Sequence, residues 1–353
     1  MALRDLLHHL PGVRGPTEKK VSFNTKLKWT LIILIAYFIL ANISLVGISE
    51  SALSRFEYLA ILLGTSFGSL ISLGIGPIVM SSIILQLLAG AGILNIDQNT
   101  TEGKRFFQGM QKLLAFAFVI FEAIIYVVMR GIQAEPGFTG LVILQLCLGG
   151  ILIIFMDEVV QKWGFGSGIS LFIAAGIGWR IFAQLFQFLG PQGSFEASGK
   201  ILAIVVAVIN AQPGAGIEIL RNLFPIIVTI ALFLAVVFAQ SLKVEIPLAF
   251  DRIRGHSVKW PLQFFYAGVM PVIFVSALAA NFQLFGSLFQ NWLGGPTWFG
   301  GFVNGQAVSG FAFWIKSTPI LETIVTGSFR WIYALQAVGH VLFYTVLSIV
   351  FSW

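Results

Sequence analysis

The chain has 353 residues, 57% of them hydrophobic and only 10% charged, and its mean hydropathy of +0.91 excludes both a soluble globular protein and a disordered one. Lys and Arg number 21 against 15 Asp and Glu, a net charge of +6, and in a membrane protein the placement of those charges says more than their sum. Cys147 is the single cysteine, so disulfides and cysteine metal centres are excluded and a small packed core residue is the expectation. His8, His9, His256 and His340 share no ligand spacing, and neither a metal nor a cofactor is expected.

Windows of about 20 apolar residues mark membrane spans. The first, Leu27 to Ile48, reads as a span rather than a cleavable signal peptide. Between it and the second, Ser54 to Ser66 (SRFEYLAILLGTS) forms a helix of about three turns, too short to cross, lying on or folding back into the external mouth. The second window, Ser69 to Leu88, is broken by Gly74, Gly76 and Pro77. Lipid offers no water to freed backbone groups, so such a break survives only against protein or an aqueous cavity. The path it lines would be walled by Ile75, Ile78 and Val79, groups unsuited to holding a small polar solute.

A polar turn carrying Asn95, Asp97, Asn99 and Gly103 precedes the third window, Met110 to Met129. Phe138 to Met156 and Ser167 to Leu189 follow. Ile201 to Ile209 is a short external stretch, either a surface helix or a half-span. Leu223 to Leu242, Leu262 to Leu284 and Phe329 to Phe351 bring the count to eight predicted spans. The link from Phe285 to Ser328, with its run WLGGPTWFGGF, suits an external loop at headgroup level. The fold class is an all-α polytopic membrane protein.

Fourteen of the 21 basic residues fall on the side of the N-terminus and seven on the other, which places the N-terminus in the cytoplasm. Five spans precede the 190–221 link. Because five is odd, a second half built like the first would be inverted, with a path at the interface of the halves. The division is an N-terminal half 1–190, an external linker 191–222 and a partial C-terminal half 223–353. The eighth window runs straight into Trp353 with no basic flank, which suggests a fragment of a longer chain; a genuine short end is the alternative.

Three features are candidates for function. The loop from Lys243 to Lys259 alternates apolar and polar positions, with Pro247 and Gly255 bracketing a hairpin turn. Its Arg252 and Arg254 could grip a phosphate backbone, against the plainer reading of an ordinary positive-inside loop. Glu122 sits near the centre of the third span, where an ionisable group costs a few kcal/mol and so reads as functional. Asn281 in the seventh span is its expected hydrogen-bond partner, and a neutral interhelical pair is the structural alternative. Gly164 to Gly168 (GFGSG) lacks the spacing of a phosphate cradle and reads as a tight turn into the fifth span. No HExxH, GxSxG or facing carboxylate pair is present, so no enzymatic activity is expected.

Four blocks, LGIGPIVMSSIILQLLAGAG (Leu73 to Gly92), FQGMQKLLAF (Phe107 to Phe116), MDEVVQKWGFGSGISLFIAAG (Met156 to Gly176) and KVEIPLAFDRIRG (Lys243 to Gly255), resemble the SecY family. This is the family of the large subunit of the protein-conducting channel, Sec61 alpha in eukaryotes, and the archaeal members are the most similar. The resemblance runs from about Lys19 to the end. It implies a ten-span hourglass of two inverted halves, of which eight spans are present, in a cell membrane. It implies a plug helix with Phe56, Tyr58, Leu59, Ile61 and Leu62. It also implies a pore ring of Ile75, Val79, Ile169, Ile173 and Ile273, and a lateral gate with Met80, Glu122 and Asn281. Relatives often carry Thr where Met80 stands, so here the implied polar cluster at the gate departs from theirs at this position. Arg252, Arg254 and Lys259 would dock the ribosome. The implied partners are the small SecE/gamma and beta subunits, the ribosome, signal-bearing nascent chains and membrane lipid.

The physical reading agrees with these roles. Branched aliphatic groups seal around any polypeptide, because apolar burial and dispersion need no particular partner, and hydrophobic constrictions gate by dewetting. A secondary transporter with broken helices is the competing class. It would need polar coordination at the midplane, where this chain offers Ile and Val. A scaffold subunit is the third, and the broken second span counts against it.

Overall fold

The computed structural model describes residues 10–17, 21–48, 68–94, 96, 100–129, 131–188, 199–210, 215–248, 258–263, 269–303, 306–318, 320, 323 and 329–352. The helices are α1 (Phe23–Asn42), α2 (Gly76–Gly90), α3 (Thr101–Val128), α4 (Thr139–Trp163), α5 (Gly168–Phe186), α6 (Lys200–Asn210), α7 (Ala215–Ser241), α8 (Val269–Leu293), α9 (Gly310–Ile315) and α10 (Trp331–Ser352). Two short antiparallel hairpins interrupt them, β1 (Lys243–Leu248) with β2 (Val258–Gln263), and β3 (Gly301–Val303) with β4 (Gln306–Ser309).

Helix starts follow local chemistry. Ser22 caps α1, its hydroxyl accepting from Thr25 N at 3.3 Å, and Thr100 caps α3 by accepting from Gly103 N at 3.1 Å. Each oxygen satisfies one of the donors a first turn leaves free. Glu102 adds negative charge at the positive end of α3. Seven helices among the described residues are long and apolar enough to cross a membrane. The remaining expected span, the second, is shorter than its Ser69 to Leu88 window, because α2 covers only Gly76–Gly90. Gly74 takes φ +56°, a conformation costly for any residue with a Cβ, and Pro77 then opens the helix where its missing N–H is not needed.

The run 69–75 before α2 is non-helical and fully or nearly buried. Its polar groups are met by the chain itself. Leu70 N donates to Ile43 O at 2.9 Å, Leu45 N to Gly68 O at 2.8 Å and Gly74 N to Ile71 O at 2.8 Å, while the Ser72 hydroxyl donates to Ser69 O at 2.5 Å. The Gln145 amide behaves as a strand partner for the tail of α1, giving to Val46 O at 3.1 Å and accepting from Val46 N at 3.0 Å.

By its internal contacts the chain divides into one unit of residues 1–176 with 271–351, and another of residues 177–270. In the first, α2 packs on α3, α3 on α4 and α1 on α4. At the α3–α4 contact Lys112 Nζ and Lys162 Nζ both hold Glu158, at 2.6 and 2.7 Å. The N-terminal segment is fastened there, with Trp163 Nε1 donating to Arg14 O at 2.9 Å. In the second unit α6 packs on α7, so Ile201 to Ile209 is a helix. The expected hairpin also lies there, its strands pairing Lys243 with Gln263 through Leu248 with Val258. Pro247 stands inside β1 opposite Lys259, so the turn begins beyond it. The 285–328 link is more ordered than a headgroup-level loop, since α8 runs to Leu293 and the β3–β4 hairpin and α9 follow.

Of the described glycines, Gly149 leaves the least room for a side chain. A Cβ there would stand 1.7 Å from Leu70 O, so Gly149→Ala must push α4 off the 69–75 run. Overpacking of this kind costs about 1–3 kcal/mol. A lowered thermal midpoint in detergent, against an unchanged one for Gly140→Ala, where nothing lies within 4 Å, is the expected outcome.

Candidate functional site

The residues expected at the constriction come from three helices of the first unit. Ile75 is the N-cap of α2 and Val79 follows one turn on; they are 1% and 0% exposed. Ile169 opens α5 and is also buried, and Ile173, four residues later on the same face, packs against the same apolar cluster. That cluster includes Phe172, Phe274, Ala277 and Leu284. Ile273 on α8 is half-buried beside Phe274. Four of the five aliphatic groups therefore belong to or pack on one core, and the fifth neighbours it along its helix.

Of the residues expected at a lateral gate, Met80 is half-buried on α2. Glu122 on α3 and Asn281 on α8 are each 1% exposed. The expected hydrogen bond between these two does not form. The Asn281 side-chain amide instead donates to Ala277 O, one turn back on its own helix, at 2.9 Å. Its Oδ1 and both Glu122 oxygens lack a hydrogen-bond partner among the described residues. Glu122 lies against the first turn of α2, where a Cβ on Gly76 would stand 3.2 Å from Oε2. The physical reason is local competition, because an Asn in a helix reaches the carbonyl four residues back without needing a second helix to hold register.

The plug positions Phe56, Tyr58, Leu59, Ile61 and Leu62, and the loop arginines Arg252 and Arg254, lie outside the described residues. Lys259 has its backbone in β2.

One residue of this region escaped the sequence reading. Asp157 on α4 is 6% exposed, and its Oδ1 accepts from the backbone N of Ile169 at 3.1 Å while Oδ2 accepts from the Gln161 amide at 2.8 Å. The glycine-rich turn brings them together. Gly164 ends α4, Gly166 takes φ +70°, and a Cβ at Gly168 would stand 2.6 Å from Asp157 Oδ1. Thr30 of α1 supports the same turn, accepting from Phe165 N at 3.2 Å. An aspartate before a GxGxG turn and a new apolar run was the available signal.

Apolar helices carrying a buried aliphatic cluster at a broken segment define a polytopic, all-α membrane protein. The SecY family model matches residues 69–353. The protein translocase subunit SecY of Methanothermobacter thermautotrophicus is 44% identical over 351 residues, covering 98% of this chain and 74% of that protein. A solved protein-conducting channel superposes with a TM-score of 0.79 at 35% identity, covering 98% of this chain and 75% of that one. Sec61 in the canine ribosome-channel complex from the endoplasmic reticulum gives 0.74 at 36% identity, over 97% of this chain and 77% of that one. The chain belongs to the SecY family. It is a multi-pass membrane protein whose function is that of a protein-conducting channel subunit.

The unpaired Glu122 carboxyl carries a stability consequence. Leaving a buried polar group without a partner costs about 1–3 kcal/mol, and Glu122→Leu removes it at similar volume. The expected outcome is a raised thermal midpoint for the detergent-solubilised protein; a lowered one would mean that the carboxyl makes a favourable contact.

Proposed function

We propose that Ile75, Val79, Ile169, Ile173 and Ile273 form the seal through which secretory polypeptides thread. The supporting observation is that Ile75 and Val79, at the broken start of α2, are buried in the same aliphatic cluster as Ile169. A seal of this kind accepts any sequence, since burying apolar surface stabilises by about 25 cal/mol per Å² whatever the partner. It closes to ions because a greasy constriction dewets. In this reading the segment 54–66 supplies the plug, with Phe56, Tyr58, Leu59, Ile61 and Leu62.

In the same reading α2 and α3 form one side of a lateral gate and α8 with α10 the other, in two inverted halves, 1–190 and 223–353. Met80, Glu122 and Asn281 lie along that gate. Apolar segments of about 20 residues leave through it into lipid, while polar segments continue across. Glu122 and Asn281 add little of their own to closure, because neither holds the other. The SecE/gamma and beta subunits and signal-bearing nascent chains are the partners. The N-terminus faces the cytoplasm of a cell membrane, and Arg252 and Arg254, between β1 and β2 in the sequence, with Lys259 of β2, meet the phosphates of a ribosome.

Replacing Ile75, Val79, Ile169, Ile173 and Ile273 together with Gly in the reconstituted complex is expected to raise resting ion conductance; a conductance equal to the parent's removes the seal. Arg252→Glu with Arg254→Glu reverses two charges between β1 and β2 in the sequence. It is expected to lower ribosome co-sedimentation, and to flatten its salt dependence, because fewer phosphate counterions are released. Equal binding at matched salt would leave the loop with a topological role alone.

A further inference from the structure

We propose that Asp157 is a positioning residue for the constriction: from α4 it caps the start of α5 and thereby sets the height and rotation at which Ile169 and Ile173 stand. The proposal rests on the reading of those two isoleucines as seal residues. The acceptor is supplied from outside the capped helix, twelve residues upstream, and it addresses the amide of Ile169 itself at 3.1 Å. A slip of one residue would turn every α5 side chain by about 100°. Ile169 and Ile173 would leave their common face together.

Asp157 also accepts from the Gly168 backbone at the same helix start, and the rest of the geometry serves these bonds. Gln161 holds the second carboxylate oxygen at 2.8 Å, fixing the plane of the group. Gly168 leaves the only room, since a Cβ there would meet Asp157 Oδ1 at 2.6 Å and Asp157 Cα at 2.7 Å. The carboxylate also faces the positive end of α5. Thr30 braces the turn from α1, its hydroxyl accepting from Phe165 N and donating to Lys26 O at 2.9 Å. The apolar ring thus takes its register from a polar latch outside it.

The test compares Asp157→Ala, Asp157→Asn and, as reference, Ile169→Gly with Ile173→Gly, each in the intact complex reconstituted into liposomes. Resting ion leak and amide exchange around Ile169 are read together. Losing a cap of about 1 kcal/mol corresponds to about a fivefold population shift, so Asp157→Ala is expected to leak about fivefold more and to exchange faster. Asp157→Asn keeps the Oδ1 acceptor, and Gln161 can flip its amide to suit, so it is expected to stay near the parent in both. A tight Ala variant beside a leaking reference overturns the positioning role. Equal leak from Ala and Asn overturns it too, since charge and not the acceptor would then matter. A tight reference overturns the seal reading itself, and the proposal with it. Should the Ala protein fail to accumulate, Asp157→Glu, which keeps the charge but displaces the acceptor, is expected to leak; a tight seal there counts against the proposal.

Discussion

A chain this apolar must satisfy its own backbone, and the run 69–75 is where that requirement is hardest to meet. Lipid supplies no donors or acceptors, yet this run is neither helix nor strand and is buried almost throughout. It persists because Ile43 O, Ser69 O and Ile71 O receive its donors and because Gly149 lets α4 come close enough to cover Leu70 O. The position of Ile75 and Val79 follows from this. If the run were helical, α2 would begin earlier and present a different face at the depth of the break, since each added residue turns a helix by about 100°.

The helical framework was legible because hydropathy reports span length directly. Each of the eight windows has its helix, and the break at Gly74 to Pro77 falls where a positive φ and a proline coincide. Side-chain pairing was less legible. Sequence placed Glu122 and Asn281 at the same depth, but depth does not decide partners, and the Asn281 amide donates within its own helix while its Oδ1 meets no partner among the described residues. Asp157 was hidden for the converse reason. Near the end of an apolar span an aspartate reads as an ordinary boundary residue, and only the fold of the Gly164–Gly168 turn reveals that it addresses Ile169.

On the reading proposed above, the aliphatic cluster of this SecY family member has a task that polar chemistry could not perform. A translocated chain presents every side chain in turn, so a binding site with fixed donors would hold some segments and stall. Dispersion contacts of about 0.1–0.2 kcal/mol per atom pair are individually weak and available to all residues. They make a seal that is tight in sum and nowhere specific. Precision is then needed only in where the aliphatic groups stand, which is a matter for backbone hydrogen bonds at helix starts rather than for the groups themselves.

The segment between α8 and α10 applies the same division of labour. The Gln290 amide of α8 pairs with Phe302 in both directions, at 2.8 and 2.6 Å, and Gln336 of α10, 2% exposed, donates to Phe313 O at 2.7 Å. His340 adds a contact of 2.5 Å to Ile315 O. The β3–β4 hairpin and α9 are thus fastened to both helices by side-chain amides and an imidazole meeting backbone groups, while Phe302, Ala307 and Ala312 fill the space between. A displacement of α8 must either carry α10 with it through these bonds or break them one by one. These part-buried bonds contribute about 0.5–1.5 kcal/mol each, so shared movement is the cheaper course.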